Sequence, residues 1–377
     1  MLRKRLVFSL GGLPFIHLIL GAFALLQLAA PAWGQPRSSA LQKVIDGART
    51  EGVLTIQWSA GRLGGDAGLR QLLEVMNKRY GTNIKLQFTP GPDFPTMLNK
   101  LTQEKVAAQV ASSDIFIGTS NHIAKGTESG MLKRLDWNAI LERPAPPDVN
   151  IDRVAPKGAA IAIASRVVGI TYNTNLVKGD DIPDSMEDVF HPKWKGRIAS
   201  TPFATGLYQF AAKDMLGYEY MKKYTQRLAQ HIGGLISCNV VERVASGEFA
   251  MLVFDCGHDD ALRYKRRGAP VDHVVPKEIA RVNITYFGIP DHARHADAAI
   301  LFTNFLHTEE GQKLTWKLAG HDLHIYPEAE TRKPVMRVVN ARGKLVLDTV
   351  QRELELGHDY FNRLVEEFVK ILKEGGR

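Results

Sequence analysis

Apolar positions along the chain switch between two periods. Val53 to Trp58 reads Val-Leu-Thr-Ile-Gln-Trp, apolar at every second residue, as in a strand with one covered face. Leu69, Leu72, Leu73 and Met76 then recur at three and four, the spacing of one helix face. A short helix over 41–50 precedes this pair. A strand over 84–88, a helix over 96–109 and a short buried strand over 114–117 follow it. Strand–helix alternation of this kind predicts a parallel α/β sheet. A proline-rich segment, 144–156, breaks the pattern, and a long stretch of small and β-branched residues runs over 159–172. A second series then begins: a strand over 197–200, a helix over 208–215, a strand over 235–237, and a helix over 240–246 closed by Gly247. The strand over 249–254 is apolar throughout, as a strand covered on both faces is. Strands over 271–275 and 282–287 precede a helix carrying Ala298, Leu301, Phe302 and Phe305. Leu364, Val365, Phe368, Ile371 and Leu372 form the stripe of a last helix.

The 377 residues allow two or three domains, and 45% hydrophobic with 23% charged residues describes a folded globular chain. Arg3-Lys4-Arg5 stands before an apolar stretch, 6–30, that contains Gly11, Gly12, Pro14 and His17 and ends in Ala32 and Gly34. That is the pattern of a secretory signal over 1–34, cut after Gly34 or two residues earlier; an uncleaved anchor is the alternative. No cysteine follows for lipid attachment, and no later run is long and apolar enough to span a bilayer. The net charge of +8 includes those three N-terminal residues, and no basic run or basic–aromatic interleaving points to nucleic acid. Lys265-Arg266-Arg267, the densest basic cluster, reads as a solvated helix end. Cys238 and Cys256 are the two cysteines, and in an oxidising compartment such a pair forms a disulfide.

Three phrases carry a family resemblance. Tyr172-Asn173-Thr174-Asn175-Leu176 is followed by Ile182-Pro183-Asp184-Ser185-Met186-Glu187-Asp188-Val189, and then by His191-Pro192-Lys193-Trp194-Lys195-Gly196-Arg197-Ile198. Gly288-Ile289-Pro290 leads to the helix from His295 and to Glu310-Gly311-Gln312. Together these resemble the bacterial extracellular solute-binding proteins of ABC importers, in particular the ferric-iron, polyamine and phosphonate-type group. The resemblance implies an α/β chain with the two-lobed type II periplasmic binding fold, crossing hinge strands and a ligand cleft between lobes. Its expected lobes are 35–160 plus 286–377, and 161–285. It implies a periplasmic, monomeric binding protein that captures a small solute by hinge closure and hands it to a membrane permease, with no enzymatic activity and no cofactor. A periplasmic enzyme on the same fold and a sensory receptor are the rival functions; neither G-x-S-x-G nor H-E-x-x-H is present to support the enzyme.

Ligands of open α/β sheets bind beyond the carboxyl ends of strands, which selects four loops. Ser59, Gly61 and Arg62 follow the first strand, where an anion would meet a helix N-terminus; an ordinary loop with a solvated Arg62 is the plain alternative. Thr119, Ser120 and Asn121 offer hydroxyls and an amide, or merely cap a helix. Ala204, Thr205 and Gly206 align with a small-residue turn that contacts anions in the family. The fourth loop holds Asp255 and His258 with Asp259 and Asp260, which either hold a cation or amine or start a helix. Iron-binding relatives place two adjacent tyrosines there. This chain has Gly257-His258, which argues against ferric iron and leaves a metal ion at His258 and Asp255 as an open expectation. Tyr286, on the returning crossover, faces either the cleft or the core. Glycine loops favour an oxyanion, carboxylate, phosphonate or metal–anion complex. The acidic loop favours an amine or metal end, and a zwitterion would satisfy both.

Overall fold

In the computed structural model, which describes residues 37–146 and 153–375, two long strands run through the middle of the molecule. They are β4 (Ile161–Val168) and β10 (Ile279–Gly288), numbered among eleven strands: β1 (Val53–Trp58), β2 (Lys85–Pro90), β3 (Phe116–Thr119), β5 (Ile170–Asn173), β6 (Ile198–Ser200), β7 (Gly234–Leu235), β8 (Met251–Val253), β9 (Val271–Val274) and β11 (Lys344–Leu347). The expected signal segment, 1–34, lies outside the described residues.

β4 and β10 pair antiparallel from Arg281 opposite Val168 to Phe287 opposite Ile161, with an irregularity at Thr285/Tyr286. β10 takes β11 in parallel along its first half and β3 antiparallel along its second. One strand thereby joins separate cores: Ile279 packs with the second lobe, Val282 and Ile284 with a central cluster, and Phe287 with the first lobe. A strand buried on both faces must be apolar, and β4 is buried at every position but Arg166.

The first lobe is built on the parallel pair β1–β2, whose covered face carries Leu54, Ile56 and Trp58. The helix Gly65–Tyr80 lays Leu69, Leu72, Leu73 and Met76 into the same core. The second lobe has a five-stranded sheet in the order β7-β6-β8-β5-β9. Its β6 pairs are parallel, while β5 runs antiparallel to β8 and β9, so the sheet is mixed where strand–helix alternation alone predicts a parallel one. The helix start read at Asp184-Ser185 is a capping box between Ser185 and Asp188 on Met186–Phe190.

The last helix, His358–Gly375, departs from the expected lobe boundary. Leu364, Phe368 and Leu372 are buried in the second-lobe core beside Met221, Tyr224 and Leu228 of the helix Tyr218–His231, so 286–377 does not belong whole to the first lobe. Glu367 reinforces this packing by accepting from the Tyr218 hydroxyl at 2.5 Å and pairing with Lys222 at 3.0 Å. Among the described residues no helix is long and apolar enough to cross a membrane.

Candidate functional site

A cavity of about 360 Å³ opens where strand-ending loops of the two lobes meet. The first lobe supplies Ser59, Gly61 and Arg62 after β1, with Ala319 and His321. The second supplies Phe203, Ser237, Cys238, Asn239, Cys256, Asp259, Asp260 and Arg263, and Arg166 of β4 stands between them. Phe203 is 52% exposed and presents an apolar ring at the cavity.

Electrostatics in the cavity centre on Arg166. Its Nε donates to Asp259 Oδ1 at 2.6 Å and its Nη2 to Asp260 Oδ2 at 2.9 Å, while Arg263 reaches Asp260 Oδ1 at 2.9 Å. Gly257 allows this approach: it sits at φ 144°, and a Cβ there would lie 2.8 Å from Cβ of Arg166. Burial works against the Arg166 charge, but Asp259 and Asp260 outweigh it and hold the guanidinium protonated. Burial also works against Asp259, and Arg166 with His321 overrides it, keeping that carboxyl well below its ordinary range. Asp260 moves the other way, raised by burial and by its ionised neighbour. Arg62 has no carboxylate at ion-pair distance among the described residues. It covers the Phe94 ring at 4.7 Å, and burial followed by Arg166 brings it down to about 10, so it remains a cation at neutral pH. A second cavity of about 420 Å³ shares Gly61, Asp259, Arg263 and Ala319 with the first and adds Arg266, Arg267 and Lys317.

The expected loops fare differently. The first lines the cavity, although Ser59 Oγ is already bonded to Pro92 O at 3.2 Å. Thr119, Ser120 and Asn121 line another cavity, and Thr119 Oγ1 is bonded to Asn121 Oδ1 and His122 Nδ1. Ala204, Thr205 and Gly206 are buried beneath Phe203 and do not line the cleft; Thr205 N and Oγ1 bond to Thr201 Oγ1, and a Cβ at Gly206 would come within 3.3 Å of the Phe210 ring. Asp255 is buried and engaged by Gly169 N, Gly257 N and Thr171 Oγ1, with His273 Nε2 at 3.3 Å. His258 Nδ1 accepts from Val167 N, and its ring stacks on Trp316 with centroids 5.9 Å apart. The first carboxylate organises a loop and the imidazole joins two lobes, and neither lines the cleft. Tyr286 belongs to the central core.

Cys238 and Cys256 are bonded, with Cα atoms 5.7 Å apart. The bond does not cross neighbouring strands, because β6 lies between β7 and β8; the loops beyond the strands converge instead. Sequence reasoning missed Arg166, Phe203, Asn239, Arg263 and His321. Arg166 carries a visible signal, the one charge inside the apolar run 159–172.

Residues 71–327 match the sequence model of the bacterial extracellular solute-binding protein family. The spermidine/putrescine-binding periplasmic protein of Escherichia coli (strain K12) is 24% identical over 291 residues, 70% of this chain and 81% of that one. Among solved structures, the substrate binding protein of an ABC transporter from Agrobacterium tumefaciens superposes with a TM-score of 0.65 at 17% identity, covering 86% of this chain and 97% of the other. The periplasmic binding protein AfuA of Actinobacillus pleuropneumoniae, bound to exogenous fructose-6-phosphate, gives 0.56 at 22% identity, covering 85% and 98%.

Proposed function

The chain belongs to the bacterial extracellular solute-binding protein family and is the solute-binding component of an ABC-type transporter, and from that premise we propose that its solute is a small anion held between Arg62, Arg166 and the Phe203 ring. The observation that carries this reading is the state of the charges. Three guanidinium groups face the cavity against two carboxylates, and both carboxylates are already tied to Arg166 or Arg263. An amine guest would have to break those buried pairs, whereas a phosphate or carboxylate finds Arg62 with no carboxylate partner and the outer cations Arg266, Arg267 and Lys317 to steer it. The exposed Phe203 face suits a guest with an apolar or ring-shaped body.

The protein acts in the periplasm as a monomer, releases its solute unchanged and delivers it to a membrane permease. Thermal melts with inorganic phosphate, fructose-6-phosphate, citrate, putrescine and spermidine test the solute class. One or more of the anions should raise the melting temperature, with no product formed, and Arg62→Met should abolish the response without lowering the melting temperature of the free protein. Stabilisation by the polyamines alone would overturn the reading.

A further inference from the structure

A smaller and more enclosed cavity, of about 120 Å³, shares no lining residue with the solute cleft. Gln209 of the second lobe and Asp348 of the first both line it and are only 2% and 3% exposed. Gln209 Oε1 and Asp348 Oδ1 each lack a hydrogen-bond partner among the described residues. Two buried acceptors left without a donor are costly, and such pairs persist where something absent from the polypeptide satisfies them. The reason Oδ1 is left over is geometric: Arg281 of β10 donates from Nε at 2.8 Å and from Nη2 at 2.7 Å to the same atom, Asp348 Oδ2. Glu353 supplies a third acceptor. Its Oε1 takes the Ser120 hydroxyl at 3.1 Å, and its carboxylate lines the same space.

Charge decides what fits. Arg281 balances Asp348, and Arg352 is bonded to Asp214, so the Glu353 carboxylate is faced by the exposed Lys125 at the rim and has no ion pair of its own among the described residues. We propose that this cavity holds one small monovalent cation, of potassium or ammonium size, ligated by Gln209 Oε1, Asp348 Oδ1 and the Glu353 carboxylate. The edge-to-face rings of Tyr208 and Phe361, 6.2 Å apart, close its apolar side. A calcium ion, which takes six to eight oxygens, is a poorer match beside Arg281.

Thr119, Asn121, Lys125, Tyr208 and Asn362 are the remaining polar groups around the cavity. Because Gln209 comes from one lobe and Ser120, Asp348 and Glu353 from the other, the ion ties the lobes together without touching the solute.

Thermal melts of the full mature chain in potassium or ammonium chloride, against N-methyl-D-glucamine chloride at equal ionic strength, give the first test. The small cations should raise the melting temperature saturably by about 2–4 °C at about pH 8. Glu353→Gln and Gln209→Leu should each remove the difference. Crystals grown with rubidium should show an anomalous peak within the cavity, a readout that stands even if the variants fold poorly. Equal melts in all three salts with no rubidium peak would mean that the cavity holds water, and the proposal fails.

Discussion

Arg166 and Asp259 meet at 2.6 Å between Nε and Oδ1, with side chains only 12% and 11% exposed, and this contact fixes the first turn of the helix His258–Lys265 against the crossing strand β4. The wall of the solute cleft therefore hangs on one buried ion pair with a second arm to Asp260. Removing one partner strands the other charges in a poorly solvated place. Arg166→Met should cost about 3–5 kcal/mol in urea unfolding, because Asp259 then keeps only His321 at 3.8 Å and Asp260 only the half-exposed Arg263. A variant within about 1 kcal/mol of the parent would show that the carboxylates take up protons or water at little cost.

The Cys238–Cys256 bond closes a separation of 18 residues, and both cysteines line the cleft. Restricting the unfolded chain over such a loop is worth roughly 3 kcal/mol. Replacing both by serine should lower the unfolding free energy by about that amount. It should also weaken anion binding, because Asn239 next to Cys238 loses its fixed place. Denaturant titrations and calorimetric binding on the same sample separate the two effects. Unaltered affinity at reduced stability would confine the disulfide to a scaffold role.

Arg266 sits at the carboxyl end of the His258–Lys265 helix, inside the basic cluster that reads from sequence as a solvated helix end. It donates to the carbonyl oxygens of Trp316 and Lys317, both at 3.1 Å, and lies 5.4 Å from the Trp316 ring centroid. Those carbonyls belong to the last turn of the first-lobe helix Glu309–Ala319, where the helix dipole favours a cation and Trp316 O takes the Gly320 N–H as well. The bonds join the lobes, and Arg266 is not among the residues that line the cavity of Arg62 and Arg166. Arg266→Ala should therefore weaken solute affinity about 2–10-fold through faster dissociation, with little change in stability of the free protein. An unchanged dissociation rate would remove Arg266 from the closing contacts.

The strand–helix order was legible from local pattern, whereas the crossing strands followed from the family resemblance and the cysteine bond from the expected oxidising compartment. Leu54, Ile56 and Trp58 announce their strand by period alone. The helix Tyr218–His231 escaped because its stripe of Met221, Tyr224, Thr225 and Leu228 mixes hydroxyl-bearing residues with aliphatic ones. The site was half legible. Loop position places Ser59, Gly61 and Arg62 at the cavity, but it cannot tell that Ala204 and Gly206 lie beneath the surface while Phe203 stands exposed. The Asp259–Asp260 pair could be read as a cation site or as a helix start; it lies in the first turn of the helix His258–Lys265, and its partner Arg166 could not be seen because it is 93 residues from Asp259 in sequence.

Acid should unfold this protein well above the carboxylate range, for a reason that lies in its histidines. Burial holds four of them in the neutral form: His122, His258 and His324 fall to about 4, and His307 to about 3. Lys125 adds to the effect at His122, Arg332 at His324, and Arg153 with Arg143 at His307. At His258 the nearby Asp259 opposes burial without overcoming it. In the unfolded chain each takes a proton near 6.5. Between that value and about 4 the unfolded state binds more protons, so stability rises with pH across the window and is lost as pH falls through it, with a limiting slope of about 1.4 kcal/mol per pH unit for each histidine. Glu353 works in the opposite direction, since its raised value favours the folded state at low pH and that contribution fades as pH climbs from 4.5 towards about 7. Glu51, Asp260 and Asp297 are raised as well and act with Glu353, while His231 is lowered and acts with the other histidines; the four large downward shifts leave the histidines dominant. Urea unfolding followed from about pH 7 to about pH 4.5 should show stability falling steeply below about pH 6. A flat profile down to about pH 5 would mean that the histidine pockets admit water or a proton in the folded state.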